Sequence, residues 1–157
     1  MGKICTFFGH RYCRLTATEE NRLETLIEDL ITNHNVDTFW VSRYGQFERL
    51  TNSYVHTLKE KYPHIKIILT LAYMPKEKTY DIEQDLKSYD GTYLPEGAEI
   101  GVQRFAISRR NRLLAEQTDY IICYIQKDYG GAWAAVHYAN LRHKPIFNLY
   151  QTDKPLY

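Results

Sequence analysis

At three places in the sequence glycine stands where side chains or backbone amides could bind an anion. Gly9, His10 and Arg11 end the apolar run "KICTFF". Glycine allows a ligand to approach the backbone closely, and arginine offers a fork of donors suited to phosphate or carboxylate. A structural explanation also exists, in which Arg11 pairs with an acidic side chain of the next helix and His10 bonds a backbone carbonyl. Both interpretations stay open at this point.

The second place is "VSRYGQF", in which Ser42 and the amides after it precede a predicted helix. A helix N-terminus is a common anion site. The segment lacks the several glycines of a dinucleotide-binding fingerprint and the lysine of a Walker motif. Arg43 either donates to a ligand or blocks it, so this segment is a weak signal by itself.

The third place is Gly130-Gly131-Ala132, which opens the last predicted helix. Its amides offer a second anion site, although a tight strand–helix connection would need the same glycines. In the preceding helix, "RFAISRRNRLL", Arg110 shares a face with apolar residues such as Leu114. We therefore expect the Arg110 guanidinium to lie near packed surface with a fixed partner.

Apolar runs and helical periodicities alternate along the chain. The predicted strands are 3–8, 37–42, 65–71, 119–125 and 144–150, and the predicted helices are 16–33, 47–62, 104–117 and 130–142. Continuous apolar strands that alternate with helices are typical of a parallel sheet covered on both faces. We predict an α/β, Rossmann-like doubly wound fold with a mainly parallel five-stranded sheet and helices on both faces. Ligands of such folds bind beyond the carboxyl ends of the strands, where the three segments would meet.

A long insert is predicted after strand three, over 74–101, because glycine and proline interrupt every pattern there. Stretches of this kind inside a compact domain are usually functional. We expect "YDGTYLPEG" to fold over the ligand as a lid. The length of 157 residues suits one domain, 1–157.

Composition excludes several classes of function. The net charge is only +1, whereas a groove that neutralises many phosphates usually makes the whole domain basic, so we expect no nucleic-acid partner. No apolar stretch approaches the length of a membrane span, and the first residues do not resemble a secretory signal. The three cysteines and six histidines show no metal spacing, and no spacing marks a catalytic residue. We expect a cytoplasmic protein without metal or cofactor.

The chain is rich in tyrosine, with 14 residues, several of them in or beside turns, including Tyr12, Tyr44, Tyr93 and Tyr129. Such rings either cover the surface with a polar tip outward or stack on a nucleotide base. Position alone does not separate these alternatives.

Several of these motifs, in order, resemble the SLOG superfamily. They are "FFGHR", "VSRYGQF", "YDGTYLPEG", "RFAISRRNRLL", "TDYIICYI" and "GGAWAAVHYA", and they span nearly the whole chain. The most similar branch is the bacterial and phage domain of unknown function that includes the YoqJ-like proteins. The resemblance implies a Rossmann-like fold that binds nucleotides or nucleotide-derived ligands, and homodimers or higher homo-oligomers.

The enzymatic relatives, the cytokinin-activating LOG proteins, hydrolyse an N-glycosidic bond with the motif PGGxGTxxE. Here Gly130 and Gly131 match, but His137 stands at the position of the catalytic glutamate. The partner motif RKxxM keeps its arginine at Arg110, followed by Asn111. The resemblance therefore implies retained anion binding without catalysis, and we expect no catalytic residue.

The leading hypothesis is a non-enzymatic binder of a phosphate-bearing, nucleotide-derived small molecule. It would sense the molecule or, in a phage, sequester a nucleotide immune signal. The alternatives are an N-glycosidase or nucleotide hydrolase related to the LOG proteins, and a regulatory interaction module with a vestigial pocket. The candidate ligand-binding residues are Gly9, His10, Arg11, Ser42, Arg43, Tyr44, Gly45, Tyr93, Arg110, Asn111, Gly130, Gly131, Ala132 and Trp133.

Overall fold

A computed structural model of the protein describes residues 2–72, 87–96 and 105–150. Strands and helices alternate through these ranges. In chain order they are β1 (Lys3–Gly9), α1 (Ala17–Asn33), β2 (Val36–Val41), α2 (Gln46–Lys61), β3 (Lys66–Thr70), β4 (Gly91–Tyr93), α3 (Ala106–Gln117), β5 (Tyr120–Tyr124), α4 (Gly131–Leu141) and β6 (Ile146–Asn148). That residues 1–157 form one domain stays a prediction.

The strands form one sheet in the order β4-β3-β2-β1-β5-β6, and each neighbouring pair is parallel. This confirms the α/β, Rossmann-like class. The sheet has six strands rather than the predicted five, because Gly91–Tyr93 pairs with β3. Leu71 N donates to Tyr93 O at 2.8 Å, and Ile67 N donates to the Asp90 carboxylate at 2.8 Å. Three residues are too few to show a strand periodicity, so no local pattern marks β4.

The lid predicted over 74–101 stays a prediction, because the structure describes only residues 87–96 of that insert. The described part of that insert, 87–96, contains β4, which is the outer strand of the sheet. Three strand positions separate β4 from β1, whose carboxyl end was the expected ligand site. The stretches 73–86 and 97–104 lie outside the described residues.

Two hydrophobic cores lie on opposite faces of the sheet. Cys5 and Phe7 of β1 belong to the core that α1 and α2 cover, whereas Phe8 belongs to the core under α3 and α4. This alternation is the two-residue period of a strand buried on both faces. Helix α1 starts at the predicted place, since Thr16 and Glu19 form a capping box.

Candidate nucleic-acid interface

The strand order reverses between β1 and β5, and a cleft of about 470 Å³ opens beyond their carboxyl ends. Crossovers to opposite faces of a parallel sheet leave a crevice at this point. The structure brings the three glycine-containing segments together here. The cleft is lined by Gly9, His10, Arg11, Tyr44, Gly45, Glu48, Ile107, Asn111, Gly130, Gly131 and Ala132.

Close backbone packing fixes the β1 side of the cleft. A Cβ atom added to Gly9 would lie 2.4 Å from Phe47 Cβ in the first turn of α2, so no larger residue fits at the end of β1. Gln46 joins the same two loops, because its backbone N–H donates to Arg11 O at 3.0 Å and its side-chain oxygen accepts from Cys13 N at 2.8 Å. The loops after β1 and β2 therefore form one unit.

His10 ties this unit to the loop after β5. Its Nε2 atom accepts hydrogen bonds from the backbone N–H groups of Gln126, at 3.0 Å, and Lys127, at 3.2 Å. Burial, and then the nearby charge of Lys127, lower the pKa of His10. Nε2 accepts only in the neutral ring, so both effects favour the form that bridges the cleft. The expected alternative was a bond to a backbone carbonyl; the partners are instead two amides.

A buried ion pair forms the floor of the cleft. The Arg110 side chain is 0% exposed, and its Nη2 donates to Glu48 Oε1 at 3.3 Å. Ser42 Oγ donates to the other Glu48 oxygen, and Asn111 Oδ1 accepts from Arg110 Nε at 3.1 Å and also from Nη2. The Tyr44 ring centroid lies 4.9 Å from the guanidinium carbon. Arg110 thus has the fixed partner expected of it, and the cleft is lined by Glu48 and Asn111 rather than by Arg110.

The first turn of α4 supplies the opposite wall. Gly130 precedes this helix with a φ of 95°, a conformation that side-chain-bearing residues rarely adopt. No acidic side chain lies in the first turn of α4, and its backbone at Gly131 and Ala132 lines the cleft. Helix N-termini of this kind favour negatively charged groups.

Two cation–aromatic pairs stand on the loops that border the cleft, one after β1 and one after β5. Arg11 and Tyr12 follow β1, with the guanidinium 5.7 Å from the ring centroid; Lys127 and Tyr129 follow β5, with the ammonium 5.7 Å from the ring centroid. Tyr12 is 77% exposed and Tyr129 is 63% exposed. Arg11 lines the cleft, and Tyr129 adjoins Gly130, which also lines it. We call Arg11, Tyr12, Lys127 and Tyr129 the rim.

Some of the predicted site residues lie elsewhere. Tyr93 is on β4, where its ring packs against Trp40 and its hydroxyl donates to Gln117 at 2.7 Å. Trp133 stacks on His137 within α4, with centroids 4.8 Å apart. Arg43 is exposed beside Tyr89, and Ser42 and Arg110 lie behind the cleft lining.

The predicted site residues did not include Glu48, Tyr12, Lys127 or Tyr129, although the two tyrosines were among the rings that could stack on a base. Glu48 falls on the buried face of α2. An apolar stripe cannot reveal it, because Glu48 is charged and is buried together with partners, Ser42 and Arg110, that lie elsewhere in the chain. A signal did exist for the rim. A basic residue stands next to a tyrosine after β1, at Arg11 and Tyr12, and two residues before a tyrosine after β5, at Lys127 and Tyr129.

A larger groove, of about 670 Å³, lies between α1 and β6 and is not the candidate site. The cation that lines it, Arg22, donates to the Leu149 carbonyl at 2.9 Å. In the described ranges no cluster of three or more His, Cys, Asp or Glu side chains is placed to hold a metal ion. None of the helices in those ranges combines the length and apolarity needed to cross a bilayer.

Known structures of DNA processing protein A (DprA) share this fold. The protein from Streptococcus pneumoniae matches with a TM-score of 0.67 and 15% identity over 99% of this chain, which spans 53% of that protein. The protein from Helicobacter pylori, described for its single-stranded DNA binding mode, matches with a TM-score of 0.62 and 16% identity over 97% of this chain and 67% of its own. No family model and no curated protein matches the sequence.

At 15–16% identity the likeness shows a shared fold, and that fold fits the SLOG resemblance of the sequence. It also corrects two expectations. The expected ligand, a nucleotide-derived small molecule or second messenger, is wrong on this comparison, because a protein of the same fold binds single-stranded DNA. For the same reason the exclusion of nucleic acid as a partner is wrong. The net charge misled because it sums over the whole surface, whereas binding depends on the charge around one cleft.

Proposed function

We propose that this protein binds single-stranded DNA across the cleft at the carboxyl edge of its sheet. The observation that carries the proposal is the rim, in which an exposed tyrosine lies beside a cation on each of the two loops that border the cleft. Proteins that bind single strands combine cations along the backbone path with aromatic rings on which bases stack.

The parts of the cleft suit the parts of a single strand. The Arg11 and Lys127 side chains are exposed and lie where they can meet phosphates, and the start of α4 offers backbone amides to another. Tyr12 and Tyr129 offer faces to unstacked bases. A duplex would gain less, because both faces of its bases are already stacked within the helix.

The fold shared with DprA supports the choice of DNA. This chain spans about half of the pneumococcal protein, so the proposal concerns binding and not the activity of the whole protein. The motifs from "FFGHR" to "GGAWAAVHYA" further support placing the chain in the YoqJ-like branch of the SLOG superfamily.

Fluorescence anisotropy with a labelled single strand of about 16 nucleotides tests the proposal. We expect Tyr12→Ala with Tyr129→Ala to weaken binding by on the order of tenfold per ring, because base–aromatic stacking contributes about 1–3 kcal/mol. Tyr12→Phe with Tyr129→Phe keeps both rings and should bind like the wild type. Lys3→Ala removes a cation at the amino end of β1, at the opposite edge of the sheet, and should also bind like the wild type.

Two results would contradict the proposal. One is the same affinity for the wild type and the double alanine variant. The other is tighter binding of the matching duplex than of the single strand.

A further inference from the structure

The floor of the cleft presents a carboxylate rather than a cation. In the ion pair the Arg110 side chain is 0% exposed and the Glu48 side chain 7% exposed, and Glu48 lines the cleft. A phosphate placed on this floor would meet a like charge before it reached the guanidinium. Phosphates therefore belong at the rim and at the start of α4, and the floor suits a group that donates hydrogen bonds.

The hydrogen bonds within the floor leave both acceptors and donors for a ligand. Each Glu48 oxygen accepts one bond, from Ser42 or from Arg110, and a carboxylate has about four lone-pair sites, so about two remain. Asn111 uses its carbonyl oxygen for both bonds from Arg110, and its amide NH₂ takes part in none of the bonds found in the described ranges. Asn111 also lines the cleft.

This arrangement matches the edge of one base better than the others. On its Watson–Crick edge guanine carries two adjacent donors, N1–H and the N2 amino group, beside the O6 acceptor. Adenine and cytosine present one amino donor beside ring or carbonyl acceptors, and thymine presents one N3–H between two carbonyls. This edge is free only in a single strand. Because Arg110 and Ser42 hold the carboxylate in place, little ordering of the protein opposes the contact.

From this geometry we infer that the floor formed by Glu48 and Asn111 selects a base by its N–H donors, with guanine preferred and thymine least favoured. The inference rests on the proposed binding of single-stranded DNA. Glu48 accepts from N1–H and N2–H, and the Asn111 amide donates to O6.

The test compares DNA strands that differ in one base and uses the wild-type protein throughout, so no substitution can disturb folding. Oligothymidines of about twelve nucleotides carry one central dT, dA, dC or dG, and compete with a labelled oligothymidine for the wild-type protein. We expect the dG strand to bind on the order of tenfold more tightly than the dT strand, because hydrogen bonds to a charged acceptor are among the stronger ones. Central deoxyinosine, which lacks the N2 amino group, and N1-methyldeoxyguanosine should each lose most of this advantage.

A protein variant gives an independent measurement. Glu48→Gln replaces one acceptor oxygen by a donor amide, so the ratio of the dT to the dG dissociation constant should fall towards unity. Lys3→Ala should keep the wild-type ratio. Thermal melting reports whether the Glu48→Gln variant folds, and the modified strands decide the question if it does not.

The possible results separate the two proposals. If none of the strands binds, the proposed function fails. If all strands bind equally, if dT binds best, or if deoxyinosine and N1-methyldeoxyguanosine bind as well as dG, single-strand binding stands and the selection by Glu48 and Asn111 is overturned.

Discussion

The floor and the rim of the cleft are built in opposite ways. On the floor, two ionised side chains are buried and satisfy each other, since Arg110 pairs with Glu48. On the rim, two large rings are exposed to water although burial would stabilise them, since Tyr12 and Tyr129 each expose more than half of their surface. The difference indicates that contacts within the protein hold the floor in one arrangement, whereas the rim rings would be buried only by a partner.

The largest expected effect is the loss of stability when the ion pair of the floor is broken. Arg110→Ala leaves Glu48 nearly buried without its cation, and loss of one partner of a buried pair costs about 3–5 kcal/mol. Urea denaturation should show this loss in the free energy of unfolding. Arg110→Met combined with Glu48→Leu removes both charges and should cost much less than Arg110→Ala. A loss below about 1 kcal/mol for Arg110→Ala would show that the pair is not buried in solution.

The next effect concerns the packing that joins floor and rim. Gly9→Ala places a methyl group against Phe47, at a distance that no relaxed contact allows, and overpacking of this kind costs about 1–3 kcal/mol. Gly131→Ala is the matched control, because its Cβ would meet Ser108 Oγ at an ordinary 3.5 Å. We expect that control to stay within about 0.5 kcal/mol of the wild type by urea denaturation. Equal destabilisation by the two variants would contradict the packing at the end of β1.

A smaller effect is expected on the salt dependence of DNA binding when one cation of the rim is removed. Arg11→Ala and Lys127→Ala each remove one exposed cation, so stability should change by no more than about 0.5 kcal/mol. The logarithm of the single-strand affinity falls linearly with the logarithm of the salt concentration, with a slope near −0.7 for each phosphate contact. Each variant should therefore reduce the slope by about 0.7, as measured by anisotropy titrations at several salt concentrations. An unchanged slope in both variants would place the phosphates elsewhere.

The strands and loops that border the cleft could be predicted from the sequence, but the side-chain contacts inside it could not. The apolar runs indicated the central strands, and the helical periodicities indicated the helices between them. The periodicity around Arg110 indicated that its side chain is packed and paired. The partner Glu48 could not be predicted, because no local pattern marks a contact between residues that are distant in the chain. The strand β4 was missed because it is held by pairing with β3 rather than by its own propensity.

The smallest expected effect concerns His10, which holds the two sides of the rim together. Its pKa lies below the ordinary value of 6.5 in the folded protein, so the unfolded chain takes up the proton first as the pH falls. The stability that neutral His10 contributes is therefore complete above pH 6.5 and is lost as the pH falls through the lower, folded pKa. His10→Gln offers an acceptor that does not titrate, so the free energy of unfolding of the wild type should fall more steeply than that of the variant below pH 6.5. Parallel curves for the two proteins would show that the two amide bonds to Nε2 do not depend on the charge of the ring. A steeper fall for the wild type would show that protonation of His10 opposes the contact between the loops after β1 and β5.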